Sequence, residues 1–378
     1  MRKWQSYKNL GDVVTIIMGQ SPSSDTYNDK EGLPFFQGNA DFGKEHPTVR
    51  VFCNSPIRIA EPNDILISVR APIGAINIAD RQCCIGRGLA AIRGANSVSN
   101  RFLYFFLTAS KNTLISQGTG STFKSIGKDA LKNLQMPVFN LNEQERIVSE
   151  LDLLAGIIDK QKQQLKEFDT LAQSIFYDMF GNPEYNEKGW GVKTMGEIGS
   201  LQRGSGLSKK NLVEEGFPCI LYGQIHTKFG AYAERNIAFI PEDLVHTAKI
   251  AHSGDLVMAL TSEDVEGSCK SVAWLGNYDV AVGSDAAIFS HSENGIYLSY
   301  YTQTRAFYNE KAKYARGFKV THISTKDIAT IPVMIPPRLL QDEFALKVQF
   351  IEKQKQSINR SLAESQKLFD YTMDKYFG

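Results

Sequence analysis

The sequence contains few cysteines, and they follow no pattern of a disulfide framework or a zinc site. The five are Cys53, Cys83, Cys84, Cys219 and Cys269, an odd number without a CxxC pair. We therefore expect buried thiols in a reducing cytoplasm. The start lacks an apolar leader, and the apolar run at residues 102–107 is far too short to span a membrane. These absences predict a cytoplasmic protein with no membrane partner.

Signatures of common catalytic and cofactor sites are also missing. Residues 118–125 look like a phosphate loop but lack the glycine before Lys124 that GxxxxGK[ST] requires. No GxGxxG opens a βαβ unit, no HExxH is present, and no Asp or Glu stands two positions before a Lys, as in common restriction nucleases. Residues 182–185 are not the Asn/Asp-Pro-Pro-aromatic motif of DNA amino-methyltransferases. We expect no catalytic residue, metal site or bound cofactor in this chain.

Net charge, taken over the whole chain, argues against a strongly basic nucleic-acid-binding protein. The 378 residues include 42 Lys and Arg and 41 Asp and Glu, a net charge of +1. Divided along the chain, residues 1–140 carry +6, residues 141–181 carry −4, residues 182–337 carry −2 and residues 338–378 carry +1. Any nucleic-acid-binding face in the third segment must therefore be a local patch.

The chain repeats one pattern twice, at a period of about half its length. The matching segments keep their order and include residues 10–13 with 195–198, 32–34 with 216–218, 64–67 with 255–258, 100–104 with 294–298, and 120–126 with 317–323. Each copy then reaches a glutamine, Gln144 or Gln341, and ends in Phe-Gly. So many matches in one order indicate an internal repeat.

Each copy begins with a β-rich segment, residues 1–140 and 182–337. Short aliphatic runs such as residues 65–69 and 256–260 are separated by Gly, Asn, Asp and Pro. Aromatic stretches around residues 102–108 and 297–304 predict one helix in each copy. The pattern predicts an α+β (mixed α/β) fold with two β-rich domains.

Each copy ends in a predicted long helix, residues 141–181 and 338–378. In the first, Asn142 and Glu145 form a candidate capping box, and Gly181 ends the helix. Apolar residues recur at alternating steps of four and three, which is a heptad pattern. The predicted helix–helix seam consists of Ile147, Leu151, Leu154, Ile158, Leu165, Phe168 and Ile175 in the first helix and Phe344, Val348, Ile351, Ile358, Leu362 and Phe369 in the second.

Two seams of equal length most simply pack on each other, and a two-fold relation between the copies makes them an antiparallel coiled coil. The alternative is that each helix packs only on its own globular domain. At about 36 residues, each helix would be a rod of about 54 Å. The polar seam residues Gln161 and Lys355 either help to set the register or are simply solvated.

Together these segments resemble the specificity subunit of a type I restriction-modification system. The resemblance covers essentially the whole chain and rests on residues 68–74, 83–89 and 120–123, on the entry to the central helix, and on residues 175–181. It implies two target recognition domains, each reading one half of a split double-stranded DNA sequence, and long helices that dock two modification subunits. It also implies that those partners use S-adenosylmethionine, and that restriction subunits using ATP and Mg²⁺ join them.

Candidate DNA contacts are polar or basic residues beside predicted strands, in Gly-rich stretches or at positions matched by the repeat. In the first domain they are Gln37, Asn39, Arg70, Arg87, Ser121, Thr122 and Lys124. In the second they are Tyr222, Gln224, His226, Lys228, Thr261, Ser262, Arg316, Lys319 and His322. Each could instead be a turn or solvated residue.

Two other functions stay open at this point. The chain could have its own DNA methyltransferase or nuclease activity, which an assay of the isolated chain would reveal. It could also be a coiled-coil scaffold without a nucleic-acid role, which salt-sensitive binding of a bipartite duplex by the partnered complex would exclude.

Overall fold

The structure is a computed structural model that describes residues 6–120, 124–317 and 320–378. The chain divides into two compact units, Met1–Lys162 with Asn359–Gly378, and Gln163–Ile358. We call them unit 1 and unit 2. The boundaries fall inside the two long helices, so each unit contains one globular part and a portion of each helix.

The globular part of unit 1 contains eleven strands and three helices within the described residues. The strands are β1 (Tyr7–Asn9), β2 (Val14–Met18), β3 (Tyr27–Asn28), β4 (Leu33–Phe36), β5 (Phe52–Cys53), β6 (Ile59–Ala60), β7 (Ile65–Ser68), β8 (Ile76–Ile78), β9 (Cys83–Ile85), β10 (Leu89–Gly94) and β11 (Gln135–Pro137). The helices are α1 (Asn100–Ala109), α2 (Lys111–Ser116) and α3 (Lys128–Lys132), and the long helix α4 (Leu141–Phe180) follows.

Two sheets and a strand pair build this globular part. One sheet has the order β2-β10-β7-β8, the other has the order β3-β5-β4-β9-β6, and β1 pairs with β11. Strand β7 is buried at every residue because both of its faces are covered. Ile65 and Ile67 join the cluster formed with α1, whereas Leu66 packs on the opposite side with Phe36 of the second sheet.

Unit 2 contains a second globular part with the same construction. Its strands are β12 (Gly191–Thr194), β13 (Gly199–Arg203), β14 (Phe217–Ile220), β15 (Tyr232–Ala233), β16 (Phe239–Ile240), β17 (Lys249–Ala251), β18 (Leu256–Ala259), β19 (Thr261–Ser262), β20 (Ser271–Trp274), β21 (Val280–Val282), β22 (Ala286–His291), β23 (Thr321–His322) and β24 (Pro332–Ile335). Its helices are α5 (Met195–Ile198), α6 (Tyr222–Thr227), α7 (Gly295–Tyr301), α8 (Arg305–Ala312) and α9 (Thr325–Ala329), and the long helix α10 (Arg338–Phe377) follows.

The central strand pairings of unit 2 repeat those of unit 1, whereas the outer strands differ. The orders are β13-β22-β18-β20-β15 and β16-β14-β21-β17, with the pairs β12-β24 and β19-β23. The parallel pair β14–β21 corresponds to the parallel pair β4–β9. Strand β18 likewise divides its side chains, with Leu256 and Met258 in one cluster and Val257 and Ala259 in another. The mixed α/β fold with two β-rich parts is confirmed.

Each long helix begins with a buried glutamine that ties it to its own globular part. In unit 1, Gln144 accepts a hydrogen bond from the backbone N of Ser99 (2.8 Å) and donates to the carbonyl of Ser97 (2.9 Å). In unit 2, Gln341 accepts from the backbone N of Asn294 (2.9 Å). These bonds satisfy backbone groups beside the first turns of α1 and α7.

The capping box of α4 lies two residues before the predicted one. The Asn140 side chain accepts from the backbone N of Glu143 (2.9 Å), and the Glu143 carboxylate accepts from the backbone N of Asn140 (3.0 Å). The prediction that Asn142 and Glu145 cap the helix is wrong, because the helix already begins at Leu141. Gly181 ends it as predicted, in the left-handed region at φ +77°.

Both helices run antiparallel within each unit. In unit 1, Arg146 lies against Tyr376, and Gln161 donates to the Ser361 hydroxyl at 2.9 Å. In unit 2, the rings of Phe176 and Phe344 are 5.6 Å apart. All thirteen predicted seam residues are buried or half-buried: Ile147, Leu151, Leu154, Ile158, Leu165, Phe168, Ile175, Phe344, Val348, Ile351, Ile358, Leu362 and Phe369. The paired-helix interpretation is confirmed.

The polar seam residues bond across the helix pair. Gln161 makes the bond to Ser361 described above, and Lys355 forms ion pairs of 2.7 Å with Asp169 on α4 and Glu352 on its own helix. The sequence left open whether Gln161 and Lys355 help to set the register or are simply solvated. Their bonds match the first interpretation, because each contact favours one register of the helices.

All five cysteines are buried and free. Burial raises the pKa of Cys83 and Cys269 to about 12, so neither thiol forms a thiolate near neutral pH. Among the described helices, none is long and apolar enough to cross a membrane. Within the same residues no cluster of three His, Cys, Asp or Glu side chains has the arrangement of a metal site.

Candidate nucleic-acid interface

Parallel pairing of β4 and β9 brings two distant loops of unit 1 together. Because the strands are parallel, their carboxyl ends lie at the same edge of the sheet. The loop after β4 begins with Gln37, and the loop after β9 contains Arg87. The backbone N of Gly86 donates to the carbonyl of Phe36 at 2.8 Å, which ties the two loops at their starts.

A third loop and the paired residues Thr119 and Ser125 complete this edge. The backbone N of Val69 donates to the carbonyl of Gly88 (2.9 Å), and the backbone N of Ala71 donates to the carbonyl of Lys124 (3.1 Å). Thr119 and Ser125 exchange two backbone hydrogen bonds, so these two residues lie side by side. We call the resulting surface the first loop edge; its described residues are 19–26, 37–41, 69–74, 86–88, 118–120 and 124–126.

The first loop edge collects five predicted DNA contacts. Gln37, Arg70, Arg87 and Lys124 are exposed there, and Asn39 is half-buried. The predicted contacts Ser121 and Thr122 lie outside the described residues. The three cations within one edge agree with the +6 charge of the first segment and would suit a phosphate backbone.

Gly88 allows the loops of this edge to approach closely. A Cβ added to Gly88 would lie 2.2 Å from the carbonyl oxygen of Gln37, so any side chain there would force the loops apart. The backbone N of the neighbouring Arg87 donates to the Ser21 hydroxyl at 3.2 Å. The position of the Arg87 backbone is thus set by packing, while its side chain remains exposed.

Unit 2 builds an equivalent edge from the matching segments. Gly283 donates to the carbonyl of Ile220 (3.1 Å), and Leu260 donates to the carbonyl of Asp285 (2.9 Å). Arg316 and His322 exchange two backbone hydrogen bonds, as Thr119 and Ser125 do. We call this surface the second loop edge; its described residues are 203–211, 221–228, 260–270, 283–285, 316–317 and 320–323.

Three predicted residues of the second loop edge form a connected group. A ring nitrogen of His226 lies 3.0 Å from the carbonyl oxygen of Thr261, whose hydroxyl lies 3.3 Å from a ring nitrogen of His322. Lys270 donates to the carbonyl of His226 at 3.0 Å, and burial lowers the pKa of this lysine. Sequence reasoning did not propose Lys270 as a contact.

The other predicted residues of this edge differ in how free their side chains are. The Gln224 side-chain oxygen accepts from the backbone N of Leu221 (2.9 Å), so it already stabilises the start of α6. Tyr222, Lys228 and Arg316 are exposed, and Ser262 is half-buried. The remaining prediction, Lys319, lies outside the described residues.

Further cations of the second loop edge were missed by sequence reasoning. Lys209 and Lys210 are exposed on a short 3-10 turn. Arg203 donates to the carbonyl of Ser284 at 2.7 Å, and Ser284 is the residue that matches Arg87 of unit 1. The repeat carried no signal for Arg203, because the matching position of unit 1, directly before Gly19, is Met18. These residues form the local basic patch that the −2 charge of the segment had hidden.

The second loop edge also carries carboxylates. Glu263, Asp264 and Glu266 lie exposed in the loop after β19. Buried Lys311 holds this loop by donating to the carbonyls of Glu266 (2.8 Å) and Ser268 (2.5 Å). The edge therefore offers both signs of charge, unlike an unselective phosphate-binding surface.

The long helices expose apolar side chains beside their seam. In unit 1, Leu153 and Ile157 are 67% and 38% exposed on α4, and Leu368 and Tyr371 are 52% and 63% exposed on α10. Leu153, Ile157 and Leu368 each stand one position before a seam residue of their own helix, and Tyr371 lies three residues after Leu368 on the same side of α10. In an antiparallel pair, such positions of both helices flank the same side of the seam, so the four residues share one face. We call this the apolar helix face.

Comparison with known proteins identifies relatives of the same kind along the chain. Residues 1–167 match the family described as the type I restriction modification DNA specificity domain. The candidate type I restriction enzyme MjaX specificity subunit of Methanocaldococcus jannaschii is 41% identical over 157 residues, which are 40% of this chain and 37% of that relative. The chain thus matches little more than a third of that relative's length.

Two longer matches have lower identity. The type I restriction enzyme MjaIX specificity subunit of Methanocaldococcus jannaschii is 24% identical over 81% of this chain and 75% of its own length. The crystal structure of the type I restriction-modification system S subunit from M. genitalium aligns over 99% of this chain and 96% of that chain, with a TM-score of 0.59 and 16% identity. That structure shows the same fold. Residues 1–167 therefore match the type I restriction modification DNA specificity domain family, and the chain resembles type I restriction enzyme specificity subunits, as its sequence predicted.

Proposed function

We propose that this chain is the DNA-specificity subunit of a type I restriction-modification complex. The observation that carries the proposal is the repeated loop edge, because a family specificity domain and its structural duplicate each gather exposed cations at one sheet edge. A bipartite DNA target, with one half-site for each globular part, follows from two such edges in one chain.

Base reading at the first loop edge would come from Arg70, Arg87 and Gln37. Arginine pairs with guanine and glutamine with adenine in the major groove, through two hydrogen bonds each. Lys124 is a phosphate contact in this proposal. At the second loop edge, the carboxylates of Glu263 and Asp264 add acceptors for cytosine amino groups, so the two edges would read different half-sites.

The long helices would set the distance between half-sites. Each contains 40 residues, a length of about 60 Å at 1.5 Å per residue. Half-sites read from one face of B-DNA lie about 34 Å apart. Overlapped helices of this length are sufficient for that separation.

Two modification subunits would dock on the long helices and supply the chemistry. The apolar helix face suits such a partner, because exposed leucines and a tyrosine are typical of protein interfaces. In this proposal the partners use S-adenosylmethionine, and restriction subunits using ATP and Mg²⁺ complete a cytoplasmic complex. This chain itself contributes no catalytic group.

Sequencing of the DNA methylation sites in a strain that carries this chain tests the proposal. We expect a split motif, and matched seven-residue insertions in α4 and α10 should lengthen its spacer and leave both half-sites unchanged. Each insertion adds about 10 Å of helix. Altered half-sites, or methyl transfer by the isolated chain without partners, would overturn the proposed function.

A further inference from the structure

A recess in the second loop edge is larger than a packing defect. Its volume is about 830 Å³, and it lies between the 3-10 turn at residues 209–211, helix α6 and the loop after β21. Leu207, Leu212, Leu221 and Ile237 supply apolar lining. A drug-sized ligand typically occupies a cavity of this size.

Three lysines stand around this apolar lining. Lys209, Lys210 and Lys228 all line the recess and are exposed. None of their ammonium groups forms an ion pair or hydrogen bond within the part of the chain that the structure describes. The single carboxylate of the lining, Asp285, lies 3.9 Å from Arg203, so it is already near a cation.

An aromatic ring forms part of the same wall. Tyr222 is 39% exposed, and its ring meets His226 edge-on at a centroid distance of 6.1 Å. Because the two rings are nearly perpendicular, at least one face of the Tyr222 ring is not covered by His226, as stacking of a planar group requires. The recess thus combines a stacking surface, an apolar lining and unpaired positive charge.

Lys209 and Lys210 have no lysine counterpart in unit 1. The equivalent 3-10 turn of unit 1 covers residues 24–26 and carries Ser24 and Asp25 where unit 2 carries Lys209 and Lys210. Asp25 is an anion, because hydrogen bonding from Ser23 lowers its pKa. The positive recess is therefore not a general consequence of the repeated fold.

We propose that the recess binds one nucleotide unit, with its base against Tyr222 and its phosphate among Lys209, Lys210 and Lys228. An apolar ligand would leave the lysines unused, and inorganic phosphate would leave the lining empty; a nucleotide uses both. The nucleotide could be a displaced residue of bound DNA or a free mononucleotide. The first source rests on the proposed function, and the second does not.

The first arm of the test is calorimetric titration of the full chain with each of the four deoxynucleoside 5′-monophosphates. We expect saturable binding of at least one. Tyr222→Ala should weaken it at least about fivefold, the lower end for loss of base–aromatic stacking, whereas Tyr222→Phe keeps the ring and should stay within about twofold. Lys209→Ala with Lys210→Ala should weaken it about tenfold or more. The matched control is Lys193→Ala, an exposed lysine of β12 outside the recess.

The second arm uses a randomised duplex library that contains 5-iodo-deoxyuridine, with photocrosslinking followed by peptide mapping. An adduct on Tyr222 that disappears in the double lysine variant identifies a nucleotide of DNA as the occupant. Saturable monophosphate binding without this adduct identifies the free mononucleotide. Absence of both overturns the proposal.

Duplex retention by the full chain, measured beside both arms, separates this proposal from the proposed function. If the chain retains duplex DNA in a salt-sensitive way but shows neither monophosphate binding nor a Tyr222 adduct, only the nucleotide site is overturned. Monophosphate binding by a chain that retains no duplex supports the recess and counts against a DNA-specificity subunit.

Discussion

Replacing Gln341 by leucine should destabilise unit 2 by about 3 kcal/mol. The side chain is fully buried and makes three hydrogen bonds, accepting from the backbone N of Asn294 (2.9 Å) and donating to the Glu293 carboxylate (2.6 Å) and the Pro336 carbonyl (2.9 Å). Leucine has a similar volume but cannot form these bonds. The backbone N of Asn294 and the carbonyl of Pro336 would therefore lose their partners. Each unsatisfied buried group costs about 1–3 kcal/mol, and the added apolar burial offsets only part of that.

Urea unfolding followed by tryptophan fluorescence measures this cost. Trp274 is fully buried in unit 2 and reports on its unfolding. With an m-value of about 2–3 kcal/mol per molar urea, the midpoint should fall by about 1–1.5 M. The exposed Gln356 on the same helix provides the control, and Gln356→Leu should change the stability by less than about 0.5 kcal/mol.

A midpoint for Gln341→Leu equal to that of the control would refute the reasoning. The repeat offers a second test, because Gln144 also makes three hydrogen bonds in unit 1, and all three are to backbone groups. If buried glutamines attach the long helices to the globular parts, Gln144→Leu should lower the stability of unit 1 by a similar amount.

Three further outcomes follow from single contacts. Gly88→Ala should lower the thermal unfolding midpoint by several degrees, because the added Cβ would lie 2.2 Å from a carbonyl oxygen. The control Gly127→Ala adds a Cβ in open space and should leave the midpoint unchanged, so equal midpoints for the two variants would contradict the clash. The hydrogen bond to Asp279 raises the pKa of His252 above its value of about 6.5 in the unfolded chain. The small stabilisation that this bond gives the folded protein is therefore fully present below about pH 6.5 and is lost as the pH rises through the folded pKa. An NMR titration should show that Asp279→Asn lowers that pKa. Lys124→Ala should weaken duplex binding and reduce its salt slope by about one without shifting the recognised sequence, and an altered sequence would exclude a phosphate contact.

Local periodicity predicted the long helices well and their first turn poorly. The heptad seam of α4 extends over about eight turns, so a single ambiguous residue did not alter the assignment. The capping box depends on one position, and both Asn140 and Asn142 are followed three residues later by a Glu. Helix α4 begins at Leu141 and uses Asn140, so the pattern alone could not choose between them.

The candidate site was predicted in composition but not in assembly. Repeat matching selected Arg70 and Lys124, and the structure brings both to the first loop edge. It did not select Lys209 and Lys210, because unit 1 carries a serine and an aspartate at the equivalent turn. A pattern shared by two copies cannot reveal a feature that only one copy has.

The sequence by itself determined the duplication, the alternation of β-rich parts with long helices, and the antiparallel seam. All three can be read from the order of residues along the chain and from the periodicity within single elements, because the side chains that form one face of a helix are only a few residues apart. Only the tertiary structure decided that Gln37 and Arg87, fifty residues apart, share an edge, and that three lysines surround an apolar recess beside Tyr222. The parallel pairing of distant strands places those loops together, and the partners of such strands are chosen by packing of the whole domain rather than by local pattern.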